Sequence, residues 1–486
     1  MSGIKTKKQF CSVPDHETII NSLTTENKIL QAENKKLQDE VTMLTDKLSK
    51  NSSNSSKPPS SDGYDKPAPK SMREKTGKKV GGQLGHDGVR LEQVESPDHI
   101  KVHMVDVCTN CGRSLEDEEA SEHECRQEFE IPPVKPEVTE HRAEIKLCPA
   151  CKILNKAAFP KHITQSVQYG INVKATATYF SQSQFIPFDR LQQLFKDCYS
   201  LPLSQGSLVN FNKQCSNAVE PSILAIKANV TGGKVAGFDE SGMRVKGKLN
   251  WLHVARNDRN TYYELHAKRG QVAMEAINIL PQFKGTAIHD HWKPYYVYTD
   301  CEHGLCNAHH IRELEFIETR YAQSWAGKMI DCLVEINDHV KSNKAAGNFK
   351  FTPDLVIKYD RKYSRILREG LHEVLALPIP EPGKKKQHKA KNLLDRLRSY
   401  KKDVLRFMND FDVSFTNNGS ESDIRMCKVK SKISGSFRSD EGAKTFCRIR
   451  SYISTARKNA VNVMDALHNA FKNTPFIASS DPPTTS

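Results

Sequence analysis

The chain has 486 residues, of which 37% are hydrophobic and 27% are charged, and 72 Lys and Arg against 58 Asp and Glu give it a net charge of +14. Its length excludes a single small module, and its positive charge favours a polyanionic partner. The sequence has no apolar stretch near the roughly 18–20 residues of a membrane helix, and Met1 to Phe10 lacks the apolar centre of a secretory signal. We therefore expect a cytoplasmic protein without a membrane partner, whose 13 cysteines are thiols or metal ligands more than disulfides.

A heptad repeat covers residues 18–50. Its d positions are Leu23, Leu30, Leu37 and Leu44, and its a positions are Ile20, Asn27, Asn34, Val41 and Leu48. The pattern predicts a short, parallel, leucine-zipper-like coiled coil, in which the two Asn residues at a positions favour a homodimer in one register. The alternative is a single amphipathic helix packed on its own domain. Residues 51–100, rich in Ser, Pro, Gly and Lys, are predicted to form a flexible basic linker.

Two Cys-x-x-Cys pairs predict a zinc-binding domain at residues 101–155. The four predicted ligands are Cys108, Cys111, Cys148 and Cys151. Four thiolates suit a tetrahedral Zn²⁺ and leave no open position for a substrate, so the ion is expected to be structural. The 36 residues between the pairs exceed the usual spacing, and they contain Cys125 as a possible substitute ligand.

Residues 156–232 are predicted to be helical. Leu191, Leu194 and Phe195 have helical spacing, a Ser-Leu-Pro-Leu segment interrupts the pattern, and Ser204 is placed to cap a second helix. The pair is compatible with a DNA-binding helix-turn-helix and equally with two helices that only pack together.

Residues 233–475 are predicted to form the catalytic domain. Three strands with tight turns, a helix at about 271–280 and a strand at 286–288 follow in the order of an RNase H-like α/β layer. In such a sheet the first and fourth strands are neighbours, so Asp239 and Asp290 could meet there. Two adjacent carboxylates suit Mg²⁺, which prefers oxygen ligands. Alternatively, both are ordinary turn acids at strand ends.

A third acid is expected from a later helix. Glu421 opens a segment that contains several basic residues, but Asn418-x-x-Glu421 is also a capping-box pattern, in which the carboxylate would only complete the helix start. Glu313, Glu315 and Glu318 are rivals on a helix of mixed charge, which is typical of a solvated face.

The 130 residues between Asp290 and Glu421 exceed what such a layer needs, so a mainly helical insertion is predicted at about 315–410, with helices at 328–340, 355–371 and 391–407. Residues 476–486 are predicted to be a tail.

Cys301, Cys306, His309 and His310 could form a second metal site. The alternative is that these side chains only pack together.

Seven segments, in the same order along nearly the whole chain, resemble the transposases of the insertion-sequence-66 family. They are Ser52 to Asp62, the paired Cys-x-x-Cys knuckles, Phe238 to Gly242, Trp251 to Val254, His289 to Tyr295, Leu305 to His310, and Lys428 to Arg438. The resemblance implies a DDE transposase with Asp239, Asp290 and Glu421 as its catalytic triad, holding two Mg²⁺ or Mn²⁺ ions. One departure is Ser422, where the family usually has Arg directly after the catalytic Glu.

The basic residues are concentrated around Glu421. Between Lys384 and Lys458 there are 20 Lys and Arg against 8 Asp and Glu, a surplus of 12. Such charge suits a phosphate backbone crossing the site and binding to nucleoid DNA. The residues predicted to contact DNA are Arg425, Lys428, Lys430, Lys432 and Arg438.

The predicted function is therefore Mg²⁺-dependent cleavage and strand transfer of an insertion sequence by a protein that binds its ends. The expected partners are double-stranded DNA, further copies of the chain through the coiled coil, and accessory proteins of the same element. Two alternatives are a catalytically inactive DNA-binding regulator, which Ser422 keeps open, and an RNase H-like structure-selective nuclease.

Overall fold

A computed structural model describes residues 15–51, 91–132, 134–376 and 387–479. The larger of two units comprises 15–51, 169–187, 208–376 and 387–479, and the smaller comprises 91–132, 134–168 and 188–207. Most of the predicted linker and the end of the predicted tail lie outside these residues. The described chain is mixed α/β, with fifteen α-helices and two β-sheets.

The helices vary from one turn to 33 residues. Their bounds are α1 His16–Leu48, α2 Ile171–Thr178, α3 Phe188–Tyr199, α4 Gln205–Ala218, α5 Glu220–Thr231, α6 Gln271–Ile277, α7 Asn307–Tyr321, α8 Ser324–Ala345, α9 Pro353–Leu375, α10 Lys389–Ser399, α11 Lys401–Val404, α12 Arg406–Asn409, α13 Asn418–Ser434, α14 Asp440–Lys458 and α15 Val463–Phe471. Within the described ranges, no helix combines the length and apolar character that a bilayer crossing requires.

The smaller unit contains a two-stranded antiparallel sheet, β1 Ile145–Leu147 with β2 Leu154–Lys156, and helix α3. The expected cap before α4 is present, because the Ser204 hydroxyl accepts a hydrogen bond from the Ser207 backbone N–H at 3.0 Å. The helices predicted on either side of the Ser-Leu-Pro-Leu segment are thus α3 and α4.

The larger unit contains a five-stranded mixed sheet. Its strands are β3 Val235–Val245, β4 Lys248–Arg256, β5 Thr261–His266, β6 Thr286–His289 and β7 Glu302–Leu305. The spatial order is β5-β4-β3-β6-β7, with β3, β4 and β5 antiparallel and β6 and β7 parallel to β3. The tight turn between β3 and β4 consists of Lys246 and Gly247, which both have positive φ, as a two-residue hairpin of the right twist requires.

Both faces of this sheet are covered by helices. Alternate side chains of a strand point to opposite faces, so Leu252 and Val254 of β4 join one cluster with α13 residues, whereas Ala255 joins another with α5 and α15 residues. Helix α14 contributes to both clusters. The sheet is therefore buried on both sides, and its functional groups must lie at its edges or strand ends.

Six helices, α7 to α12, lie between β7 and α13 and form the helical insertion. Their apolar side chains make one core around Trp325, which is fully buried. Helices α8 and α9 include the predicted segments 328–340 and 355–371, but the helix predicted at 391–407 is three helices. The backbone leaves helical geometry at Tyr400 and again at Leu405, which ends α10 and α11.

The two ends of the insertion are joined by hydrogen bonds. The Asn307 N–H donates to the Phe415 carbonyl at 3.0 Å, and the Asn417 N–H donates to the Cys306 Sγ at 3.1 Å. The chain therefore leaves the sheet and returns to it at the same place.

Candidate active site

Asp239 lies on β3, and Asp290 directly follows β6, the parallel neighbour of β3. Val235 pairs with Thr286 and Gly237 with Ile288, and continuing this register by two residues brings Asp239 level with Asp290. The Asp239 Oδ1 accepts a hydrogen bond from the Glu240 N–H at 2.8 Å. The Asp290 Oδ1 accepts one from the Trp292 N–H at 3.0 Å, an Asx turn that directs the chain away from the end of β6.

Helix α13 places Glu421 beside these acids because its first turn lies directly on β3. The Asn417 side-chain amide donates to the Phe238 carbonyl at 2.7 Å, and the Ser420 hydroxyl donates to the Asn417 Oδ1 at 2.7 Å. A Cβ at Gly237 would lie 2.5 Å from the Ser420 Oγ and 2.6 Å from the Asn417 Oδ1. Only glycine at position 237 allows this approach.

Asp423 anchors the same turn from its other side. Its Oδ2 accepts hydrogen bonds from the Lys458 ammonium and the Thr261 hydroxyl, each at 3.1 Å, and the Arg256 Nε lies 3.6 Å away. Burial lowers the pKa of Lys458 to about 8, against the opposing effect of Asp423. The position of Glu421 is thus fixed by contacts of Asn417 and Ser420 before it and of Asp423 two residues after it.

Glu421 does not complete a capping box. Helix α13 begins after Asn417, which makes no side-chain cap, and the Glu421 Oε1 is buried without a hydrogen-bond partner in the described chain. Two α7 side chains lie near it: the His309 Nδ1 and an Arg312 Nη are each 3.9 Å from the carboxylate. Burial lowers the pKa of His309, which disfavours its charged form. An orphaned buried carboxylate oxygen is available to a cation.

The three acids act on one another electrostatically. Burial raises the pKa of the Asp239 carboxyl well above its usual range, and the negative charges of Glu240, Asp290 and Glu421 raise it further. An all-oxygen, mutually repelling set of this kind fits Mg²⁺. In the described chain the donor atoms of the three carboxylates do not all lie within 4.8 Å of one another.

The one group of three ligand atoms within 4.8 Å of one another in the described residues consists of Cys306, His309 and Glu421. Of the four residues considered for a second metal site, Cys301 and His310 are not part of this group. The Cys301 thiol is hydrogen-bonded to the Tyr298 carbonyl at 3.4 Å, and the His310 Nδ1 is hydrogen-bonded to the Asn307 Oδ1 at 3.1 Å. Burial raises the pKa of Cys306 to about 11. As a neutral thiol that accepts the Asn417 N–H, Cys306 holds the start of α13.

Two of the acids considered as rivals of Glu421, namely Glu313 and Glu318, make other contacts. Glu313 forms an ion pair with Arg396, and a Cβ at Gly327 would meet the Glu318 carboxylate. Neither is among the charges that raise the pKa of Asp239, whereas Glu421 is.

A buried ion pair next to Asp239 was not predicted from the sequence. The Glu240 side chain is only 1% exposed, and its carboxylate accepts hydrogen bonds from the Arg269 guanidinium at 2.8 Å and the Tyr295 hydroxyl at 2.6 Å. The Arg269 guanidinium lies 4.1 Å from the Trp292 ring centre and 5.0 Å from that of Trp251. Glu240, Trp251, Trp292 and Tyr295 belong to motifs visible in the sequence, but no local pattern links them to Arg269.

The five predicted DNA contacts differ in exposure. Arg425, Lys432 and Arg438 are exposed. Lys428 donates to the Gly242 carbonyl, and Lys430 donates to the Gly435 carbonyl at 3.2 Å while lying 3.7 Å from the Phe437 ring centre. Burial lowers the pKa of Lys430 to about 8. These two lysines are engaged within the chain, and the other three are accessible to a ligand.

The two cysteine pairs have the same local geometry. The Gly112 N–H donates to the Cys108 carbonyl and the Lys152 N–H to the Cys148 carbonyl, each at 2.9 Å, and both donors have positive φ. The backbone N–H groups of Cys111 and Asn110 lower the pKa of Cys108, and that of Cys151 lowers the pKa of Cys148. Turns that stabilise thiolates fit Zn²⁺, although the four sulfurs do not form a group within 4.8 Å in the described chain.

Carboxylates at the ends of adjacent parallel strands, in a basic chain, are typical of enzymes that act on nucleic acid. Residues 166–445 match the Transposase IS66 family, residues 106–152 match the zinc-finger binding domain of transposase IS66, and residues 12–92 match a family of unknown function. No curated protein matches the chain. Because the first match covers more than half of the sequence, the chain belongs to the IS66 family of transposases. It is a DNA-binding transposase, and its zinc-finger domain supports a structural Zn²⁺.

Proposed function

We propose that the chain is a DDE transposase with an RNase H-like catalytic domain, which cleaves the ends of an insertion sequence and joins them to target DNA. The observation that carries the proposal is geometric: the register of β3 and β6 brings Asp239 level with Asp290, and α13, whose start is hydrogen-bonded to β3, carries Glu421. Burial raises the pKa of the Asp239 carboxyl, and the negative charges of Glu240, Asp290 and Glu421 raise it further. The strand order β5-β4-β3-β6-β7 supports it, because that order makes the strands carrying the first two acids neighbours.

Each acid has a separate role in the proposal. Asp239, the most central, would hold both of two Mg²⁺ or Mn²⁺ ions, while Asp290 and Glu421 would each hold one. When bound, such ions lower the pKa of a water molecule and stabilise the charge of a leaving oxygen. The Arg269–Glu240 pair keeps a positive charge near this negative cluster, and the Asx turn at Asp290 keeps its carboxylate at the strand end.

The exposed basic residues supply the DNA path. Arg425, Lys432 and Arg438 lie on α13 or just after it, so a phosphate backbone bound by them would pass close to Glu421. Contacts of this kind position DNA without reading its sequence. We assign recognition of the element ends to the smaller unit, through α3 or the zinc module. We also propose that a homodimer or larger assembly formed through α1 joins the two ends.

The test is cleavage of labelled element ends by the purified full-length chain in Mg²⁺. Asp239→Asn is expected to reduce cleavage to background while end binding persists, because the amide keeps the shape and loses the charge. Asp331→Asn is the matched control, since Asp331 is an exposed acid on α8, in the helical insertion.

Three outcomes would contradict the proposal. Cleavage retained by Asp239→Asn would remove this acid from catalysis. End binding by the native chain without any cleavage would favour the inactive regulator, and cleavage without end specificity or strand transfer would favour the nuclease.

A further inference from the structure

The heptad seam of α1 is exposed along its length. Its apolar a and d side chains are between 48% and 86% exposed. They are Ile20, Leu23, Leu30, Leu37, Val41, Leu44 and Leu48. The core of the described chain therefore does not use this seam, which leaves it free for another helix.

The opposite face of α1 is attached to the helical insertion by a buried carboxylate. Asp46, at an f position of the heptad, is only 7% exposed. Its Oδ1 accepts a hydrogen bond from the Arg320 Nε at 3.1 Å, and its Oδ2 accepts from the Lys389 ammonium at 2.8 Å and from the Tyr321 hydroxyl. Burial opposes the charge of Asp46, but Lys389 and Tyr321 outweigh it and lower the pKa of this carboxyl.

An aromatic ring adds to this attachment. The ammonium of Lys50, just beyond α1, lies 5.3 Å from the Phe316 ring centre, and that of Lys389 lies 5.5 Å from it. Phe316 is buried in the core of the insertion. We call the residues Asp46, Arg320, Tyr321 and Lys389 the Asp46 joint.

The proposed function already pairs two copies of the chain through the exposed seam of α1. We propose further that the Asp46 joint fixes each α1 to its own catalytic unit, so that this pairing also sets the distance between the two active sites. A second copy is the favoured occupant, because Asn27 and Asn34 at successive a positions meet equivalent Asn residues only in a parallel, in-register pair. Since f positions lie opposite the a and d positions, the joint leaves the seam free. The inference rests on the proposed function, in which two ends are joined.

The joint is what makes the pairing useful for two-ended chemistry. A helix that is anchored only by its partner fixes the number of chains but not the distance between their active sites. A helix held to its own catalytic unit by three donors to one carboxylate fixes both. Loss of Asp46 should therefore leave the dimer intact and loosen the two catalytic units relative to each other.

The test uses the full-length chain with Asp46→Ala, Lys389→Ala and the control Thr25→Ala, which changes an exposed f position three heptads earlier. Light scattering is expected to give a dimer for all four proteins. Hydrogen exchange of residues 42–48 is expected to rise at least tenfold in the two joint variants and to stay native in the control. Joining of two labelled ends is expected to fall at least tenfold relative to cleavage of single ends.

Two results would overturn the inference. A native chain that is monomeric at micromolar concentration would refute pairing through the seam of α1. Native hydrogen exchange of residues 42–48 in Asp46→Ala would refute the claim that Asp46 holds α1 to its catalytic unit. Neither mass nor exchange depends on catalysis, so a chain that fails to cleave DNA would refute the proposed function and leave this inference standing.

Discussion

The close approach of α13 to β3 makes Gly237→Ala the most informative substitution. The new Cβ would lie 2.5 Å from the Ser420 Oγ, whereas ordinary contacts begin at 3.4 Å, so the hydrogen-bonded Ser420 and Asn417 side chains, or the first turn of α13 that carries them, must shift by about 0.9 Å. Overpacking of this kind costs roughly 1–3 kcal/mol of stability. A displacement of about 1 Å at a catalytic group lowers the rate on the order of 100-fold, which corresponds to about 2.7 kcal/mol.

The assay is single-turnover cleavage of labelled element ends in Mg²⁺, with thermal unfolding and end binding measured on the same preparation. Gly170→Ala is the control, because nothing lies within 4 Å of a Cβ there and the residue has a negative φ. Cleavage by Gly237→Ala within about threefold of native, with an unchanged unfolding temperature, would show that α13 does not approach β3 as closely as described.

Three further changes test other parts of the structure. Asp423→Asn removes the negative charge that Lys458 and Arg256 face, so thermal unfolding should show a loss of stability of about 1.5–3 kcal/mol. Cleavage should fall while end binding stays native. Unchanged stability would contradict the anchoring of α13 by Asp423. Burial lowers the pKa of His253 to about 4, so below about pH 6.5 the unfolded state binds a proton that the folded state does not, and the free energy of unfolding should fall by up to about 2 kcal/mol at pH 5. Urea unfolding of His253→Gln should therefore show a smaller pH dependence than that of the native chain. An equal pH dependence would show that His253 is not the source of the effect. Cys148→Ser should remove the bound zinc in metal analysis, whereas Cys125→Ser should retain it, and the reverse pattern would exchange the two ligands.

The order of the strands along the chain could be predicted because each strand has a local pattern of its own. Alternating apolar residues and the Lys246-Gly247 turn define β3 and β4 without knowledge of the rest of the chain. The proximity of Asp239 and Asp290 followed from the expected RNase H-like layer, in which the first and fourth strands are neighbours, and not from a local pattern. Local patterns also predicted α8 and α9, whose apolar spacing is regular over many turns.

The contacts that fix Glu421 could not be predicted in this way. Gly237 and Asn417 are 180 residues apart, and neither has a local pattern that names its partner. The sequence also suggested a capping box for Glu421, because Asn-x-x-Glu has the same spacing whether or not the carboxylate turns back to the helix start. The pairing of Glu240 with Arg269 and the burial of Asp46 were missed for the same reason, since each joins distant segments.

The hydrogen bonds between Cys306 and Asn417 and between Asn307 and Phe415 close the helical insertion at its base. Because both ends of the insertion are held at one place, its length does not change the point at which the chain returns to the sheet. Loop-closure entropy rises only slowly with length, at about 0.6 kcal/mol per doubling. We therefore expect natural variants or engineered chimaeras to tolerate changes of length in the insertion beyond α7, whose His309 and Arg312 lie beside Glu421, while Glu421 keeps its place.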